Sequence, residues 1–329
     1  MLPQEALATG QWCKLICGAS LHHTPLIRNL ALIYTLAGVD CIDVAADPAM
    51  VRAAQGGVSL AQALDPGCAS PWIMVSFNAG EDPHFRKAAL TVAACPPQCP
   101  QPCVSVCPPH AISGSLPIAI SQALCYGCGR CQPVCPSQVL GMVSHPVSAA
   151  GVFPQLLELG IAAVEIHTHP GELTAFAEVW QHLQPGIPSL ALVSVSFGDG
   201  AHLGGYLSSL LKVMQPPPAR LIWQTDGRPM SGDIGVGATR ATLHLARKVL
   251  DLGLPGYVQL AGGTNAHTMT KARQLGMPVA GVAYGSYARQ LVRQAAELPD
   301  LEHHPDQLWA SVEQARALLA TVKLASAYV

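Results

Sequence analysis

At 329 residues, half of them apolar and 12% charged, the chain is long enough to bury a sizeable core, and its formal charge is only −2. That balance argues against nucleic acid as a partner. The richest apolar stretch, residues 26–46, is broken by Arg28, Asn29, Asp40 and Asp43, which excludes a membrane span there.

In chain order, residues 14–17 form a short apolar run that ends in Gly18-Ala19-Ser20, and residues 25–36 follow with apolar side chains at helical spacing. This strand, loop and helix unit recurs at 41–45, with a helix from Pro48, and again at 72–77, ending at Asn78. A cysteine-rich stretch then interrupts the alternation. Beyond it come a helix over 152–159, a strand at 163–167, a helix over 172–183 and strands at 190–195 and 220–224. A long helix over 238–252, strands at 257–261 and 279–283 and a helix over 306–325 complete the chain. Eight short buried strands, each leading towards a helix, predict an α/β fold, a (β/α)8 TIM-type barrel. A doubly wound open sheet also alternates strand and helix but does not favour eight units. The expected domains are 1–85, the first part of the barrel; 86–146, a ferredoxin-like insert after strand 3; and 147–329, the rest of the barrel with its C-terminal helix.

Eight of the twelve cysteines lie in the interruption. Cys125, Cys128, Cys131 and Cys135-Pro136 have the C-x2-C-x2-C-x3-C-P spacing by which bacterial-type ferredoxins hold [4Fe–4S] clusters. Two-residue gaps let three thiolates converge on one cube, while the fourth, turned outward by proline, reaches a neighbouring cluster. A second run is therefore required. It is present as Cys95, Cys99, Cys103 and Cys107-Pro108, with three-residue gaps, and CVSVCPPHAI matches CQPVCPSQVL as an internal repeat. The expectation is two [4Fe–4S] clusters, one on Cys125, Cys128, Cys131 and Cys107, the other on Cys95, Cys99, Cys103 and Cys135. Zinc is the weaker alternative, because zinc knuckles do not need the trailing Cys-Pro. Disulfides are weaker still, since no secretory signal is read at the start of the chain. Two loaded cubes would bring the net charge to about −6. Residues 83–157 contain no Asp or Glu, and between 88 and 157 Arg130 is the only Lys or Arg, so the insert reads as a cover or docking face.

Loops that follow strands form the catalytic face of such a barrel, so an insert after strand 3 should lie over its mouth. Strand ends should contribute a polar ring there, including Ser20, Asn78, His167, Ser196, Gln224 and Gln259. The turns Gly262-Gly263-Thr264-Asn265 and Gly285-Ser286 follow the last two strands, where barrels commonly bind phosphate, and FMN is the phosphate-bearing candidate beside iron–sulfur clusters. The plain alternative is tight turns feeding helices. The polar loop 225–235 would supply Asp226, Arg228 and Asp233 as acid, anion binder and base, or else simple loop and cap residues. His167-x-His169 places two imidazoles at one strand end, as in some barrel metallohydrolases, but the lysine and further strand-end histidines of such sites are missing. Lys14 is the only lysine expected in a strand, which disfavours a Schiff-base aldolase. A C-x3-C-x2-C radical motif fails at Ser20 and Pro102. Cys17 and Cys41 read as small core residues.

The segments KLICGAS, AGVDCIDVAADP, AVEIHTHPG, TDGRPMSGDIG and VQLAGGTN, together with the two cysteine runs, span nearly the whole chain. In these it resembles the LdpA family, the light-dependent period proteins of cyanobacteria. The resemblance implies a cytoplasmic protein, or one peripheral to the photosynthetic membrane, with two [4Fe–4S] clusters on the eight cysteines named. It implies a redox sensor or electron-transfer protein linked to photosynthetic electron flow, with circadian clock input and core proteins as partners and a quinone or electron carrier as redox partner. It carries over no catalytic residue. The competing expectation is a flavin- or other ligand-dependent oxidoreductase whose active site at the barrel mouth is fed by the clusters.

Overall fold

The computed structural model describes residues 1–91, 95–114, 118–145, 147–228 and 235–323. Its strands are β1 (Trp12–Gly18), β2 (Cys41–Ala45), β3 (Trp72–Asn78), β4 (Arg86–Leu90), β5 (Leu140–Ser144), β6 (Ala163–His167), β7 (Leu192–Phe197), β8 (Leu221–Asp226), β9 (Tyr257–Ala261) and β10 (Gly281–Tyr284). All but β4 and β5 are parallel and close into an eight-stranded barrel in the order β1, β2, β3, β6, β7, β8, β9, β10. This is the expected TIM-type barrel. Helices over Thr24–Ala37, Pro48–Leu64, Ala149–Glu158, Leu173–Leu183, Leu203–Val213 and Thr239–Asp251 pack around it. The last helix is Pro305–Ala320, shorter than the predicted 306–325.

The strands are not the uniformly apolar runs that buried parallel strands usually are. Their odd and even positions divide the barrel into two environments. Leu15, Ile42, Val75, Val164, Val193, Trp223, Leu260 and Val282 point outward and form the main core with the helices. Inward, Trp12, Cys41, Met74, Ala163, Leu192 and Ile222 make an apolar floor with Leu7 of the short helix Pro3–Ala8. Above the floor lies a layer of Lys14, Asp43, Ser76, Glu165, Ser194, Gln224 and Gln259, all buried. Barrels of this class usually fill that level with branched aliphatic side chains.

The insert leaves the barrel after β3. A 3-10 turn, Pro83–Phe85, leads into β4, and β5 returns antiparallel to it, Leu90 opposite Leu140 and Arg86 opposite Ser144. This ribbon was not anticipated, because its halves are some fifty residues apart and neither alternates clearly; it also makes Lys87 a second strand lysine. Between its strands, the described residues hold one turn of helix, Pro102–Ser105, and an isolated bridge between Ile112 and Ile120.

Candidate functional site

In the insert, Cys95, Cys103, Cys107, Cys125, Cys131 and Cys135 are buried, and Cys99 and Cys128 are half-buried. The thiols fall into two sets. Cys95 lies within electrostatic reach of Cys99, Cys103 and Cys135, and Cys131 within reach of Cys125, Cys128 and Cys107. Each set thus takes three cysteines from one run and the fourth from the other. A small enclosed cavity of about 20 Å³ is lined by Cys107, Cys125, Cys128 and Cys131 together with Ile112 and Met142. Backbone N–H groups point at two of the sulfurs: Ala88 N donates to Cys125 Sγ at 3.4 Å and Ala111 N to Cys107 Sγ at 3.2 Å. Burial raises the pKa of Cys107 and Cys128 and pushes the Cys131 thiol up to about 11. Such thiols give up their protons when a cation draws them to thiolates. Sulfur donors grouped together and N–H groups aimed at them fit the chemistry of an iron–sulfur cluster.

The seam between insert and barrel is polar and tight. Gly127, in the cluster run, has φ +73°, and a Cβ there would lie 2.1 Å from the Arg86 carbonyl oxygen and 3.0 Å from that of Pro83. Only glycine permits so close a pass. Next to it, the Arg289 guanidinium stacks 4.5 Å over the Tyr126 ring and donates to the Ile16 carbonyl at 2.7 Å. His22 N donates to the Ala123 carbonyl at 3.0 Å, and Lys87 holds the Gln122 carbonyl.

Tyr126 reaches the barrel mouth, where a cavity of about 70 Å³ lies between it and the polar layer. Asp226, Arg228, Gly262, Gly263, Thr264, Gly285 and Ser286 line this cavity as expected from the sequence, with His167 and Gln224. Asn265 does not. Its Nδ2 donates to the Gly235 carbonyl at 2.9 Å and its Oδ1 accepts from His267 N at 2.9 Å, so it ties two loops together. Asp233 lies outside the described residues. Gly262 and Gly263 are explained by packing: a Cβ on either would meet the backbone of Gly227, Arg228 or Ala238 within 3.0 Å. By itself this cavity has room for a few waters or a small polar ligand, whereas sites for molecules the size of FMN run to roughly 300 Å³ or more.

Beneath the mouth, the layer is one connected network. Lys14 pairs with Glu165 and lies 3.8 Å from Asp43, whose Oδ1 accepts from Ser76 at 2.8 Å. Glu165 also accepts from Ser194 at 2.7 Å and from Gln224 at 2.9 Å. Gln224 accepts from Gln259, which in turn accepts from the Trp12 indole N–H. Above it, His167 bridges Glu165 through Nε2 and Asp82 through Nδ1, both at 3.2 Å. Burial opposes charge on each of these groups. The mutual attraction nevertheless holds Glu165 well below the usual carboxylate range, through Lys14 and His167, and Asp82 likewise, through its imidazoles. His167 is held well above the usual imidazole range despite burial, while burial pushes the Asp43 carboxyl up to about 6. Lys14, Asp43, Glu165, Asp82 and His84 were not expected as site residues. The period-2 placement of Lys14, Asp43 and Glu165 was the available signal. Asp82 and His84 gave none, being on a loop.

Comparison with known proteins places this arrangement. The description "LdpA Fe-S cluster-binding domain" matches residues 95–146, and "Light dependent period A C-terminal domain" matches 155–321. The curated Light dependent period A of Synechococcus elongatus is 47% identical over 335 residues, covering 98% of this chain and 94% of that one. The chain belongs to the Light dependent period A family. As a member of that family it is an iron–sulfur protein. Solved structures show the barrel alone: a putative fructose-1,6-biphosphate aldolase from Coccidioides immitis is 10% identical, with a TM-score of 0.50 over 97% of this chain and 95% of that one. The YdjI aldolase from Escherichia coli K12 is 8% identical, with a TM-score of 0.49 over 97% and 94% of the two chains. Among the described residues no helix is long and apolar enough to cross a membrane.

Proposed function

We propose that this protein is a two-cluster redox sensor for the circadian clock, with residues 86–146 as the sensing domain and 1–85 with 147–329 as the barrel that carries it. The observation that carries the reading is the sorting of eight thiols into two crossed sets, one of them continuous with the barrel mouth through Ala88, Tyr126 and Gly127. Cys95, Cys99, Cys103 and Cys135 would hold one [4Fe–4S] cluster, and Cys107, Cys125, Cys128 and Cys131 the other. When bound, such clusters supply reversible one-electron storage. The chain's own residues do the rest. The N–H groups of Ala88 and Ala111 favour added negative charge on the sulfurs they face. Lys87, 3.1 Å from His22 Nδ1, and Arg289, stacked on Tyr126, join the insert to the barrel, so a change of charge in the insert acts on contacts across the seam. The nearly uncharged face of the insert is the surface offered to clock input or core proteins, and an electron carrier or quinone would set its redox state.

Two measurements test this. Anaerobic protein should contain about eight iron and eight sulfide per chain, and Cys128→Ala should lose about half of both; full iron in that variant contradicts the pairing. Hydrogen exchange of residues 83–88 and 122–127 should differ between oxidised and dithionite-reduced protein. Identical exchange in the two states would sink the sensor reading.

The buried polar layer favours a second reading, an oxidoreductase acting on a small polar ligand in the mouth cavity. Asp226→Asn, with both clusters intact, should then abolish the cellular function, whereas a sensor with an idle barrel tolerates it.

A further inference from the structure

The insertion loop and the end of β6 bring together a group of side chains that neither the thiol sets nor the proposed sensor uses. We propose that Asp82, His84 and His167 form a binding site for one divalent first-row transition ion at the barrel mouth, separate from the iron–sulfur clusters. One donor atom from each lies within 4.8 Å of the others. The Asp82 carboxylate sits between the two rings, Oδ1 at 2.9 Å from His84 Nδ1 and Oδ2 at 3.2 Å from His167 Nδ1. His169 Nε2 approaches Oδ2 at 3.6 Å from the open side. Two imidazoles and a carboxylate are the donors of many catalytic zinc and non-haem iron(II) sites.

The surroundings are those of a ligand set. His167 Nε2 faces Glu165, which Lys14, Ser194 and Gln224 hold from three further strands. A metal-bound imidazole commonly donates its second N–H to a carboxylate, which orients the ring and leaves the other nitrogen for the ion. Here that leaves Nδ1, the atom that faces Asp82 and His84, which an ion would take by displacing to solvent the proton it shares with Asp82. The loop is fixed as well: Ser20 donates to the His84 carbonyl, Phe85 packs edge-on against the His167 ring at 5.2 Å, and Gly127 abuts Pro83 and Arg86.

An independent observation comes from β3. Asn78 is the register partner of His167 and, by strand alternation, faces inward with Ser76. Its Oδ1 is buried and has no hydrogen-bond partner. An unsatisfied buried oxygen is costly in a bare protein, and this one belongs to the strand residue paired with His167. The mouth cavity, lined by His84, His167, Glu165, Asp43 and Asp226, leaves room for water on an ion held there.

The test uses anaerobically purified protein with its clusters, freed of loosely held metal by brief EDTA treatment and then titrated with zinc sulfate. Expected is about one zinc per chain with cluster iron and sulfide unchanged. Zinc K-edge absorption should show nitrogen and oxygen ligands only, at about 2.0–2.1 Å, whereas sulfur at about 2.3 Å would put the zinc on cysteines and overturn the proposal. His84→Gln and His167→Gln should each weaken zinc binding tenfold or more at full iron content, in keeping with about 1.4 kcal/mol per factor of ten. Absence of zinc binding in the wild type, or binding by both variants as tight as that of the wild type, also overturns it. Iron and sulfide contents report on the clusters separately, so failure of this site and failure of the sensor reading are distinguishable.

Discussion

In the barrel, alternate strand residues join an apolar shell under the helices, whereas among the described residues of 86–146 the buried apolar cluster is twelve side chains, six of them cysteines. The barrel has repetitive backbone pairing and a continuous core. The insert has one two-stranded ribbon, which by itself is marginal in water. One unit is thus stabilised by burial and the other by whatever its sulfurs bind. That difference suits the proposed sensor, in which the insert would respond to redox state and loosen without melting the scaffold.

The largest test of this contrast is removal of the iron. Stripping the clusters with chelator and oxidant should open residues 95–145 to proteolysis while the barrel keeps its thermal transition; a barrel that melts with the insert breaks the comparison. Next comes the barrel's own polar interior. Lys14→Met takes from buried Glu165 the nearer of its two cationic partners and should lower barrel stability by about 3–5 kcal/mol in chemical denaturation, with iron content unchanged. A loss below about 1 kcal/mol would mean that the layer is wetter than its burial indicates.

The seam should respond more modestly. Gly127→Ala puts a side chain at positive φ against the Arg86 carbonyl and should cost about 1–3 kcal/mol, read as faster exchange at residues 83–88. Unchanged exchange would show that the insert does not lean on the barrel there. The smallest effect is on the barrel's exterior, where Arg28 NH1 donates to Glu302 at 3.0 Å. The Arg28 hydrogen bond lowers the Glu302 pKa, so the pair stabilises the fold above the unfolded carboxyl pKa of about 4.3, and this is lost as pH falls through the lower folded value. Glu302→Gln should remove about 1 kcal/mol at most at pH 7 and nothing near pH 2, measured by denaturation at both.

The mouth residues at strand ends, Asp226, Ser286 and the Gly262-Gly263 turn, were legible because position along a strand predicts position in a barrel. Asn265 was misplaced because a polar side chain after a strand caps loops as readily as it faces a cavity. Asp82 and His84 were missed because no period governs a loop.

The sequence by itself determined the two cysteine runs, the eight strand and helix units and the site of the insert. These rest on local chemistry: a run of closely spaced thiols lies along one short stretch of chain, and strands and helices impose their own periods. Only the tertiary structure decided that Lys14 meets Glu165, 151 residues away, and that Asp82 meets His167 across 85. Alternation says which side chains face inward; the order and register of barrel closure decide which of them touch.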